Sequence, residues 1–232
     1  VLGSLCLLAT VATGLLLRNH PAELGLEAIG TTDNVSPDQF ANHTKGRDAW
    51  LLVRLGLIYL AFGATFMIYG TFIVTTMVHD YDLSETMAGR YWSWVGLFSL
   101  FSGLLFGSTS DRIGRKWGLA LVLLVQTIAY LLAGLKLGNT FLLASIVLYG
   151  LAVFAIPTIM AAAVADYLGL ARAAAAFATV TLFFAAGQVI GPTLAGNLAR
   201  TSGSFSGAYL LAALLTLLAG LLAGSLPEVS RH

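Results

Sequence analysis

Charge is what this chain has least of. Only 10% of its 232 residues are Asp, Glu, Lys or Arg, against 58% that are hydrophobic, whereas a soluble domain carries about 25% charged residues. So few polar groups cannot cover a globule of this size, which excludes a soluble enzyme. Twelve basic and eleven acidic residues leave a formal net charge of +1, so no basic face exists for nucleic acid and no nucleic-acid partner is expected. Cysteine is limited to Cys6, which neither builds a disulfide framework nor chelates a metal alone. His20, His43, His79 and His232 are scattered, and neither a metal nor a cofactor is expected. Five prolines stand against 25 glycines in a background of Leu, Ala and Val, a bias of membrane helices.

Long apolar runs are what the chain has instead. About 20 helical residues cross a bilayer core, and seven runs qualify, at about 1–17, 51–78, 87–109, 117–136, 140–164, 173–198 and 207–226. The first is short and starts without methionine or a basic flank. It reads as a span cut at its start, so the chain is expected to be a fragment of a longer protein; the h-region of a signal peptide is the alternative. Residues 18–50 form one polar segment with Glu23, Glu27, Asp33, Asp38 and Asp48. Within it Ser36-Pro37-Asp38 has the form of an N-cap followed by Pro at the first helical position. The Asn42-His43-Thr44 sequon would matter only on the outer side of the membrane. The expected organisation is therefore a truncated helix over 1–17, a central loop over 18–50 and a six-helix domain over 51–232. The fold class is an all-α polytopic membrane bundle, whose two triplets would be inverted repeats, since an odd number of crossings reverses the second copy.

Orientation follows from the basic residues, which are retained on the cytoplasmic side. Alternate loops and ends carry Arg18, Lys45, Arg47, Arg54, Arg112, Arg115, Lys116, Arg172 and Arg231, nine residues; the other set holds Arg90, Lys136 and Arg200, three. The long loop and the C-terminus are expected to be cytoplasmic. Trp50, Trp92, Trp94 and Trp117 fall at span ends, where indole prefers the headgroup layer.

The most specific string is Gly107-Ser-Thr-Ser-Asp111-Arg112-Ile-Gly114-Arg115-Lys116. Gly114 permits a tight turn, and Asp111 can accept from Arg115 or from a helix N-terminus. On charge alone, a positive-inside anchor with an incidental acid explains it better. A second string, Gly187-Gln-Val-Ile-Gly191-Pro192-Thr-Leu-Ala195-Gly196, offers a small-residue face for close helix approach, with Pro192 loosening the backbone. Gly103-Leu-Leu-Phe-Gly107 repeats the spacing as simple packing.

The first string resembles the signature loop of the major facilitator superfamily, G-x-x-x-D-R-x-G-R-K, at all six fixed positions. The loop occurs between helices 2 and 3 of that family and often again between helices 8 and 9. The resemblance implies that this copy is the second, that the chain is the C-terminal half of such a transporter, and that its spans are the end of helix 6 plus helices 7 to 12. It also implies that Asp111 and Arg112, with Gly107, Gly114, Arg115 and Lys116, belong to a cytoplasmic gate working against the missing N-terminal six-helix half. Asp166 could accept from Arg115, with Arg172 close by. The second string is similar to the family's G-x-x-x-G-P-x-x-G-G motif but departs at Ala195 and lies on the eleventh helix, so drug/proton antiport does not follow from it.

For a solute, the second span offers Tyr59, Phe62, Phe66 and Tyr69 at helical spacing beside Gly56, Gly63 and Gly70. These rings line a cavity or pack the bundle. Thr65, Tyr149 and Gln188 complete the candidate cavity, Gln188 because its amide has more hydrogen-bond capacity than its own turn uses. No Asp, Glu, Lys, Arg or His lies near the middle of any span, so a coupling ion or proton would bind in the missing half. The expected function is secondary transport of a small solute by alternating access, by symport or antiport, across a lipid bilayer taken to be a bacterial inner membrane. An integral-membrane enzyme lacks a convergent catalytic cluster here, a channel lacks a filter loop, and a naturally dimerising half-transporter does not accommodate the short first span.

Overall fold

The computed structural model describes Leu7, Thr10, Val11 and Thr13 and residues 45–228. The chain divides into two units, Val1–Asn42 and His43–His232. The four described residues of the first unit are helical and exposed. The expected helix start at Ser36, the sequon at Asn42 and most of the long link lie outside the described residues.

In the second unit the described residues form helices α1 (Lys45–His79), α2 (Glu85–Ile113), α3 (Arg115–Gly134), α4 (Asn139–Ala152), α5 (Ala155–Leu168), α6 (Leu170–Ser202) and α7 (Ser206–Gly224). No strand occurs among them. Helix α1 starts six residues before the apolar run at 51, because Asp48 in its first turn suits the positive end of the helix dipole.

Among the described residues five segments are long and apolar enough to cross a membrane: Asp48–His79, Arg115–Gly134, Asn139–Leu168, Leu170–Ser202 and Ser206–Gly224. Helix α2 is not among them, although its 29 residues include the whole run at 87–109. Serines and glycines dilute its apolarity. Ser93, Ser99 and Ser108 donate to the carbonyls of Arg90, Gly96 and Leu104 at 2.7–2.8 Å, which spares each hydroxyl a partner from outside the helix.

The expected span at 140–164 is broken into α4 and α5 at Val153 and Phe154. Pro157 accounts for the break: it has no N–H for the Val153 carbonyl and its ring crowds that group. The freed Phe154 N–H donates to Ser102 Oγ of α2 at 3.1 Å. Pro192, by contrast, sits inside a continuous α6, where it leaves the Gln188 carbonyl without its usual donor.

Helices α1 and α6 approach backbone to backbone. A Cβ at Gly187 would fall on the Leu60 carbonyl, one at Gly191 on the Ala64 backbone, and one at Gly63 on the Phe184 carbonyl. Gly196 has nothing within 4 Å, so of the glycines in the α6 string only Gly187 and Gly191 take part in this packing. Gly103 and Gly107 of α2 both face Thr158 of α5. The core forms two clusters stacked along the bundle, one running from Leu51 to Phe62 of α1 and the other from Ile68 to Met77.

Candidate functional site

The most polar feature lies where α2 turns into α3. Gly114, at φ 97°, is the single residue between the two helices, a conformation L side chains rarely adopt. Gly169, at φ 84°, makes the same one-residue link between α5 and α6. These two corners bring the ends of four helices together at one end of the bundle.

Arg115 is the centre of that end. Its Nε donates to Asp166 Oδ2 at 2.6 Å, its Nη1 bonds Asp111, and the same nitrogen reaches Ser110 Oγ at 3.4 Å. One guanidinium thus joins α2, α3 and α5, using donors in a fixed fork. Lys116 extends the network to Glu228 Oε1 at 2.8 Å and stands 5.3 Å from the centre of the Trp117 ring. The Lys116 ammonium holds the Glu228 carboxyl below the usual glutamate range. Around these groups opens a cleft of about 500 Å³, lined also by Arg112, Ile113 and Tyr167.

The segment after α7 closes on the same end. Arg54 bonds the Ser225 carbonyl at 2.7 Å, Tyr167 donates to the Pro227 carbonyl at 2.8 Å, and Leu226 is buried. Arg172 is engaged elsewhere: its Nη1 lies 2.9 Å from Asp48 Oδ2, tying the start of α6 to the start of α1.

The candidate cavity residues separate into two groups. Tyr59, Phe62 and Phe66 gather at the seam between α1 and α6, where Phe184 packs against all three at ring-centre distances of 4.8, 5.5 and 6.2 Å. Phe177 joins at 6.3 Å from Tyr59. Phe66, Phe184 and Gln188 are half-buried, and Gln188 follows Phe184 by one turn. Tyr69 and Tyr149 instead lie inside the bundle, stacked at 4.1 Å. The Tyr69 hydroxyl pairs with Ser145 at 2.8 Å, Tyr149 donates to the Phe66 carbonyl at 3.2 Å, and Thr65 is fully buried, donating to the carbonyls of Ala61 and Phe62.

Sequence reasoning missed Phe177 and Phe184, whose seven-residue spacing on α6 was a readable signal overshadowed by the glycines. It also missed Glu228, which lies 112 positions from Lys116 and gave no local sign. Among the described residues no group of three or more His, Cys, Asp or Glu could hold a metal.

No curated protein matches the chain. A family model described as "Uncharacterised MFS-type transporter YbfB" matches residues 4–224, covering all seven helices above. With its all-helical, multi-pass architecture, the chain belongs to this family of MFS-type transporters.

Proposed function

We propose that the chain is the C-terminal half of a secondary transporter that moves a small solute by alternating access, with the Arg115 network as its cytoplasmic gate. The observation that carries this reading is a single guanidinium bridging Asp111 and Asp166 across a one-residue turn. Ion pairs this open to water exchange partners at little cost. Asp111, 62% exposed, can accept a further donor from another segment.

That segment belongs to a second six-helix half, which covers faces of α2 and α6. Leu100, Leu104, Leu182 and Val189 are each at least 70% exposed, more than neighbouring core-facing positions tolerate. The remaining apolar surface meets the bilayer of a bacterial inner membrane. Solute passes beside the closed α1–α6 seam, where the half-buried Phe66 and Phe184 offer ring faces and Gln188 an amide. Coupling to an ion takes place in the other half, because the middle of the spans here carries no Asp, Glu, Lys, Arg or His.

The test is Asp111→Asn in the whole transporter, with uptake measured over a broad solute panel. Loss of uptake by correctly inserted protein is expected. Unchanged uptake by correctly inserted protein would remove the gate role.

A further inference from the structure

We propose that the bundle holds an internal water-binding site at its waist, formed by Gln126, Tyr130 and Thr65. The two core clusters do not meet through apolar side chains alone. On α3 the first ends at Leu123 and the second begins at Ala129; on α1 the gap runs from Phe62 to Ile68, and on α7 from Ala213 to Ala219. Each gap holds a buried polar residue: Gln126 and Thr127 on α3, Thr65 on α1, Thr216 on α7.

Most of this layer satisfies itself. The Thr127 and Thr216 hydroxyls lie 3.0 Å apart, so that one donates to the other and the acceptor donates back to its own turn, Thr127 to the Leu123 carbonyl or Thr216 to that of Ala212 or Ala213. Gln126 does not. Its side chain is fully buried, and neither its amide nitrogen nor its oxygen has a hydrogen-bond partner. The Tyr130 hydroxyl, also fully buried, is in the same condition and faces Thr65. Gln126 and Tyr130 are four residues apart on one helix face, so their side chains are neighbours.

An unpartnered amide within a membrane-spanning segment cannot turn to bulk water, and leaving it bare is costly. The protons of Thr65, Thr127 and Thr216 are engaged within this layer, and the Tyr130 hydroxyl, the remaining donor beside Gln126, does not bond the amide directly. Thr65 has lone pairs to spare. One water matches the unmet set: it donates to Gln126 Oε1 and Thr65 Oγ1 and accepts from Gln126 Nε2 and the Tyr130 hydroxyl. A buried water commonly makes two to four such bonds. A cation is a poor match, since one amide and two hydroxyls supply no carboxylate to balance it.

Radiolytic hydroxyl labelling with mass spectrometry tests the site in the whole protein held in lipid nanodiscs, because a ring with no solvent access is labelled only by a water beside it. Tyr130 should be labelled, while Tyr209, equally buried but bonded to Thr76 at 2.8 Å, stays at background. Labelling of Tyr130 should be lost in Gln126→Leu, which removes the amide at similar volume; Gln126→Met serves if that variant does not insert. Tyr130 labelled no more than Tyr209, or labelled equally in the variant, overturns the site.

Discussion

At the end of the bundle where α2 turns into α3, Arg115 and Lys116 meet Asp111, Asp166 and Glu228 around an open cleft. At the opposite end one carboxylate does the joining. Asp80 Oδ2 lies 2.9 Å from Lys136 Nζ and accepts from Ser204 Oγ at 2.8 Å, linking the turns after α1, α3 and α6. The exposures set the two ends apart: the Asp80 side chain is 10% exposed, those of Asp166, Asp111 and Glu228 39%, 62% and 80%. Similar charges therefore hold differently. A carboxylate taken out of water is costly to part from its donors, because it stays desolvated without them, whereas carboxylates in water re-form pairs with whatever donor is near. The carboxylate at one end is held out of water, while those at the other stand open to it.

The largest effect should come from the seam that both ends share. Gly187→Leu would drive a side chain into the Leu60 carbonyl, and backbone cannot yield as a flexible side chain does. Overpacking of this kind costs about 3 kcal/mol or more. Loss of the monodisperse peak on size exclusion after solubilisation is the expected result, with both ends lost together. Gly196→Ala, at a position with nothing within 4 Å, should elute like the parent.

Next in size is Asp80→Ala. Removing the carboxylate leaves Lys136 and Ser204 without their shared acceptor, and a loss of about 1–2 kcal/mol follows for a half-buried charged hydrogen bond. Asp111→Ala at the other end should cost less than about 1 kcal/mol, since its pair is exposed. Thermal unfolding of both variants measures the contrast; equal losses would mean that the ends are not held differently.

The sequence made the spans and the signature end legible for physical reasons that did not extend to the interior. Apolar runs announce helices, and a Gly between Arg-rich flanks announces a tight corner, so Gly114 and Arg115 could be placed without coordinates. The break at Val153 was also signalled, by Pro157, but the run around it reads as uninterrupted because Ala, Ile and Met dominate. Which aromatic rings face which helix depends on how α1 rotates against α6. That rotation is set by Gly63, Gly187 and Gly191 together, a three-way contact no single helix encodes. The separation of Tyr69 and Tyr149 from Phe66 followed from it. Gln126 was passed over because one amide in an apolar run looks like an isolated polar residue until its neighbours are known.

The smallest effect is the one that best probes the exchangeable end. Lys116 depresses the Glu228 carboxyl in the folded protein, so the contact is present above the unfolded glutamate range and is lost as pH falls through the lower, folded value. Glu228 lies on the surface, and its loss should leave the unfolding temperature nearly unchanged. The signal to follow is Trp117, which shares Lys116 with Glu228. When the carboxyl takes up a proton, the ammonium is released from it and its position over the indole shifts. Trp117 fluorescence, isolated by replacing the other three tryptophans with Phe, should be flat at neutral pH and change in the acid range. In Glu228→Gln the step should vanish. A step that persists would show that Glu228 is not its source, leaving the clasp from α7 as a fixed part of this end and confining exchange to Arg115.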